Sequence, residues 1–187
     1  SYLDDAAQEW LFKPAQSKSG NPEAFRAYVQ EAGYKVQGII DPDTAIPVGT
    51  GELGGNFGAF QKRVVNIDET FDLRHWQYTS DQLPPGTAAQ LQREHVTDWL
   101  LGNFDSHGGN FIIDDAGKLI GIDKEQSFRY INQIGGQHMS YTYHPNSSYG
   151  ETEPVYNTLF RRFAKGEVDL DLQDTLTFIK RAEAIPD

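Results

Sequence analysis

The tightest constraint on this chain is a pair of short apolar runs that bracket a turn. Phe111-Ile112-Ile113 leads into Asp114-Asp115-Ala116-Gly117, and Leu119-Ile120-Gly121-Ile122 follows and ends on Asp123. Apolar, β-branched residues on either side of an Asp/Gly turn specify a β-hairpin. With Asp114 paired to Leu119, Asn110 opens one strand opposite Asp123, which closes the other. Directly opposed residues sit about 4.5–5.5 Å apart, so the hairpin is expected to converge an amide oxygen and a carboxylate on one point. Just upstream, Asp105-Ser106-His107-Gly108-Gly109-Asn110 packs an acid, an imidazole and a carboxamide into six positions. Oxygen ligands for a hard cation thus stand beside a candidate general base, as phosphoryl transfer requires.

The flanking sequence supplies elements to carry these groups. Trp10-Leu11-Phe12-Lys13-Pro14 reads as a short strand. A helix is predicted over residues 22–36, with Asn21 as N-cap and Pro22 in the first turn. Ala24, Ala27, Tyr28 and Glu31 recur at helical spacing and define its inward face. Residues 44–48 and 58–64 read as strands, and 66–86 as a polar connector. Thr87-Ala88-Ala89-Gln90 has the form of a capping box, opening a helix whose stripe of Val96, Trp99, Leu100 and Phe104 faces the core. Residues 132–152, rich in Gly, Ser, Asn and Tyr, read as a loop. Two helices close the chain, over 153–165 and 172–184, the second with Leu172, Leu176 and Ile179 inward.

Asp105-Ser106-His107-Gly108-Gly109-Asn110 followed by Ile122-Asp123 resembles the catalytic loop and metal-binding aspartate of the phosphatidylinositol 3-/4-kinase family. The resemblance covers about residues 9–128 and implies an α+β, compact two-lobed protein-kinase-like fold. Its reduced N-terminal lobe would be residues 1–65 and its mainly helical C-terminal lobe residues 66–187. By the same resemblance, Asp105 is the general base, His107 stabilises the transferring phosphoryl group, and Asn110 and Asp123 hold Mg²⁺ or Mn²⁺. Lys13 neutralises the ATP phosphates and is steadied by Glu31, with Glu23 the lesser claimant. The adenine stacks against the strand ending at Val64-Val65. Three departures stand out: no glycine-rich loop precedes Lys13, Lys124-Glu125 follows Asp123 where the family has small residues, and the next loop carries few cations. The first implies either a trimmed lobe or a segment of a longer polypeptide.

Composition narrows the partners. Sixteen basic against 27 acidic residues leave a formal charge of −11, a surface that repels nucleic acid and anionic membranes. The absence of cysteine removes disulfides, thiolate catalysis and cysteine-zinc sites, and fits a cytoplasmic setting while leaving a secreted effector open. No apolar run approaches the ~20 residues needed to span a bilayer. The expected function is therefore an ATP- and Mg-dependent kinase acting on a protein Ser/Thr, with Ser140, Thr142, Ser147 and Ser148 as candidate self-modified positions. An inositol-lipid kinase and a nucleotide-binding pseudokinase are the alternatives. A metal-dependent hydrolase, joining Asp105, His107 and Asp123 to one of His75, His95, His138 or His144, ranks behind because no histidine pair has ligand spacing.

Overall fold

The computed structural model describes residues 2–4, 6–17, 19–65, 67, 70–103, 105–128 and 153–185, and the predicted 132–152 loop, with its hydroxyl residues and His138 and His144, lies outside them. The first part is an antiparallel sheet backed by one helix. Strands β1 (Tyr2–Leu3), β2 (Glu9–Pro14), β3 (Val48–Leu53) and β4 (Asn56–Lys62) are ordered β1-β2-β4-β3, and helix α1 (Phe25–Ile40) lies between β2 and β3 in sequence. Lys13 in β2 is paired with Ala59 in β4. The β3–β4 hairpin turns on Gly54 and Gly55, with φ of 56° and 79°. Two left-handed residues give a loop whose twist matches that of the strands. Glycine-rich β3 begins where the predicted 44–48 strand was to end, because the turn and not strand propensity sets the pairing.

Helix α1 begins and ends later than predicted, and neither Asn21 nor Pro22 caps it; its N-cap is Ala24. Its buried face is Ala27, Gln30, Gly33, Tyr34, Gln37 and Ile40, whereas Tyr28 is exposed. The stripe is rotated because two buried positions are glutamines with partners of their own. Gln30 Nε2 donates to Gln61 Oε1 at 2.9 Å, and Gln37 Nε2 to Glu94 Oε1 at 2.8 Å. Both amide nitrogens are satisfied in this way, while Gln37 Oε1 stays buried without a partner.

The second part is helical around a small hairpin. Helix α2 (Leu73–Trp76) interrupts the predicted connector, and its Leu73 and Trp76 are buried. Arg162 packs its guanidinium 4.4 Å from the Trp76 ring and donates to the carbonyls of Trp76, Thr79 and Asp81. Helix α3 (Thr87–Leu101) opens at Thr87, but its N-cap is Gly86 and the capping box does not form. Gln90 instead bonds the hairpin turn, accepting from Leu119 N and donating to Gly117 O. Trp99 and Leu100 are exposed, while Leu91, Glu94, Thr97, Asp98 and Leu101 face inward; Phe104 is outside the described residues.

Strands β5 (Phe111–Ile113) and β6 (Leu119–Gly121) form the predicted hairpin, one residue out of the predicted register: Phe111 pairs with Gly121. Asp114 selects the shorter, three-residue loop by accepting from the amides of Ala116 and Lys118, with Gly117 left-handed. Helices α4 (Val155–Ala164) and α5 (Leu172–Glu183) complete the chain. In α5 Phe178 is the buried residue and Leu172 and Leu176 are exposed, and Asp174 on the same helix pairs with Arg93 of α3 at 2.5 Å. The main core joins Leu73, Trp76, Leu91, Phe111, Ile113, Leu119, Val155, Tyr156 and Leu159. Among the described residues, no helix is long and apolar enough to cross a membrane.

Candidate active site

The loop bearing Asp105 is built on the end of α3. Gly102 takes a left-handed φ of 60° and stops the helix. Asp98, one turn back and wholly buried, then fastens the loop: it accepts from Ser106 Oγ at 2.6 Å, Asn103 Nδ2 at 3.1 Å and Tyr156 OH at 2.7 Å. Burial alone would raise its pKa, but Lys124 and these donors outweigh it and hold Asp98 below the usual carboxylate range. A 3-10 turn over Gly108–Asn110 follows, and His107 caps it, Nδ1 accepting from Gly109 N at 3.1 Å. That bond leaves Nε2 to carry the proton of the neutral ring, and Nε2 lies 3.7 Å from Asp105 Oδ1. Position 108 must be glycine, because a Cβ there would sit 2.6 Å from the Leu73 carbonyl oxygen.

Asn110 is tied on three sides: Nδ2 donates to the Asp105 carbonyl at 2.5 Å, its N–H to His107 O, and its carbonyl accepts from Ile122 N at 2.7 Å. The last bond puts Asn110 opposite Ile122, so the predicted direct pairing with Asp123 is corrected by one residue. Asp123 still reaches the site because its backbone turns left-handed there, at φ 60°, out of strand alternation. Its Oδ2 is 2.7 Å from Lys13 Nζ, 110 residues away in sequence. Its Oδ1 is buried and has no hydrogen-bond partner. A buried carboxylate oxygen with no donor is a position a cation fits, and with the Nδ2 of Asn110 already engaged, the amide oxygen is the atom it offers to the same ligand.

Lys13 has a second acid, Glu125, with Oε2 at 3.0 Å. Burial pulls its pKa down, but Asp123 and Glu125 together raise it, so the ammonium is firmly charged. Asp105 belongs to the same field: burial raises its pKa, Asp123 and Glu125 raise it further, and His107 and Lys13 oppose. Lys13, Asp105, His107, Asn110 and Asp123 are therefore gathered in one place. Glu31 is not with them. It pairs with Lys35 at 2.6 Å, one helical turn along α1, and the expected Lys13–Glu31 ion pair is absent. Nor does Glu23 reach Lys13; it binds Arg26. The physical reason is that α1 packs Ala27 against Ala15 and against Ala59 of β4, and presents the cation Arg26 next to it.

Val64 is half-buried in an apolar cluster with Tyr34, Ile46, Val48, Ile120 and Ile122, whereas Val65 is exposed beyond the end of β4 at Lys62. Tyr34, Ile46 and Val48 also line a groove of about 690 Å³ that crosses the sheet from Tyr2 and Trp10 to β3 beside Glu31 of α1, and none of the five gathered residues lines it. The histidines of the hydrolase reading are elsewhere: His75 lies 3.3 Å from Asp81, and His95 is stacked between Tyr156 and Phe160. Among the described residues no three His, Asp or Glu side chains are grouped to hold a metal ion by themselves.

Sequence reasoning missed two residues, both directly after Asp123. Lys124 is buried and bonds Asp98 at 2.6 Å and Glu94 at 3.0 Å, tying the hairpin to α3. Glu125 joins Lys13 to Arg26. The signal was their unusual identity at those positions, which marks a difference but not a partner.

No known family matches the sequence, and a search of curated proteins returns no match. Among solved structures the chain is similar to one described as a Helicobacter pylori proinflammatory kinase, CtkA. The two are 13% identical with a TM-score of 0.52, over 97% of this chain and 79% of that one. A likeness at that identity speaks for fold, and the fold is kinase-like.

Proposed function

We propose that this chain is an ATP-dependent kinase of the phosphatidylinositol 3-/4-kinase-like type, transferring the γ-phosphate to a hydroxyl acceptor. The observation that carries the reading is Asp123, with one oxygen on Lys13 and the other buried and unpaired, beside Asp105, His107 and Asn110. In this reading residues 1–65 and 66–187 are two lobes, and nucleotide enters between them against Val64 and Ile122.

Asn110 and Asp123 would hold Mg²⁺ or Mn²⁺, which when bound neutralises charge on the phosphates. Asp105 accepts the proton of the attacking hydroxyl, whose oxygen forms the new bond to the γ-phosphorus while the bond to the β–γ bridging oxygen breaks. ADP leaves with that oxygen. The raised pKa of Asp105 makes it a better proton acceptor than an exposed carboxylate. His107, whose Nδ1 is engaged by Gly109 N and whose Nε2 lies 3.7 Å from Asp105, supplies the Nε2 proton as a donor for the phosphoryl oxygens. Lys13 meets the phosphates of the leaving nucleotide.

The charge of −11 favours a soluble Ser/Thr acceptor over an anionic lipid surface. A γ-labelled ATP assay offering the chain itself, a protein and phosphatidylinositol vesicles tests both statements. Asp105→Asn keeps shape but removes the proton acceptor, so transfer should fall roughly 10²–10⁴-fold with nucleotide binding retained. Unchanged transfer in that variant overturns the assignment, and labelling of vesicles alone overturns the acceptor.

A further inference from the structure

Lys13 is held by two carboxylates, and in a kinase one of them has another task. If Asp123 takes a cation, its hold on Lys13 at 2.7 Å competes with that cation, and the lysine needs a second anchor to keep its direction. Helix α1 and the residues that lead into it offer none, since Glu31 is with Lys35 and Glu23 with Arg26. Glu125 does, with Oε2 at 3.0 Å from Lys13 Nζ while its Oε1 lies 3.3 Å from Arg26 Nη1. Glu125 and Arg26 are each only about a fifth exposed, so water screens their contact weakly, and it screens the contact to the more open Lys13 side chain, 43% exposed, more strongly. The charges alternate along Lys13, Glu125, Arg26 and Glu23, and the polarity expected of this place is inverted: the helix contributes the cation and the loop the acid. Resting on the kinase reading above, we infer that Glu125 is the positioning residue for Lys13, and that Arg26 fixes Glu125 to helix α1. Grip on the nucleotide phosphates thereby depends on where α1 sits, through an arginine.

The backbone supports this assignment independently. Glu125 is two residues from Asp123, and Lys124 between them is locked into α3 by Glu94 and Asp98. The loop therefore cannot carry Glu125 away from Lys13 without unburying an ion pair. Gly33 of α1 packs against the same loop, where an added Cβ would come within 3.2 Å of Lys124 Cβ and Ser127 Oγ.

The test is a double-mutant cycle on ATP binding in the full chain, by calorimetry, with thermal unfolding in parallel. Glu125→Gln should weaken ATP roughly tenfold while leaving the melting temperature near that of the wild type. In a Lys13→Met background the same substitution should change nothing further, because its effect passes through the lysine. Arg26→Gln should weaken ATP in the wild type and not in Glu125→Gln. Additive losses in Lys13→Met/Glu125→Gln, or unchanged binding in Glu125→Gln with Lys13→Met impaired, overturn the role of Glu125 alone. If wild type binds no ATP, or Lys13→Met binds it as well as wild type, the kinase reading itself fails.

Discussion

Acid should loosen this protein through one imidazole on the helix that carries the Asp105 loop. His95 sits in α3 with its ring 4.6 Å from that of Tyr156 and 5.2 Å from that of Phe160, and its Nε2 is buried without a partner. Burial drives its pKa down from 6.5 to about 4, against a smaller upward pull from Asp98, so the folded chain holds it neutral. The unfolded chain takes up that proton near the ordinary value. Stability is thus intact at pH 7, falls as pH drops from 6.5 towards 4, and levels off below. For those two pKa values the loss at pH 5 is about 2 kcal/mol, a drop in melting temperature of roughly 4–8 °C for a chain of this size. Carboxylates also titrate over this range, so the measurement is a difference. Urea unfolding at pH 7 and pH 5 should be compared for wild type and His95→Phe, which keeps a ring in the cluster and removes the titrating nitrogens. The variant should be less acid-sensitive than wild type by that amount. Equal acid sensitivity in both would refute the argument that a buried, unpartnered imidazole costs this fold its stability.

Two further outcomes follow from contacts around the loop. Lys124→Met leaves Glu94 and Asp98 buried without their cation, which should cost about 3–5 kcal/mol in urea unfolding; adding Glu94→Gln should recover part of that loss, and a neutral Lys124→Met would contradict the pairing. Gly108→Ala drives a Cβ into the Leu73 carbonyl, so it should destabilise by roughly 1–3 kcal/mol and depress phosphate transfer, whereas wild-type behaviour in both assays would show that α2 does not press on the loop.

The chemical groups were legible in the sequence because each is local. Asp105, His107 and Asn110 lie within six positions, and the apolar hairpin leading to Asp123 carries its own turn. What local spacing cannot record is a partner chosen across the fold. Glu31 satisfied helical periodicity as well as any inward residue, and only the packing of Ala27 against Ala15 and Ala59 decides that it faces elsewhere. Hydropathy failed in α3 for a related reason. Glu94 and Asp98 are inside because Lys124 is inside, so a rule that sends charge outward turned Trp99 and Leu100 the wrong way. The register error had a smaller cause: two hydrogen bonds from the Asp114 side chain favour a three-residue loop over a four-residue one.

The lysine after Asp123 also limits how this molecule can be switched. Swinging the Asp123 backbone outward would carry Lys124 with it, dragging an ammonium from between two buried carboxylates and leaving Asp98, which holds Ser106 and Tyr156, without its cation. The orientation of the aspartate is therefore not a free coordinate: a toggle at that point would melt the floor of the site instead of resetting it. On the kinase reading proposed above, control would then fall to the placement of α1, through Arg26 and Glu125 beside Lys13.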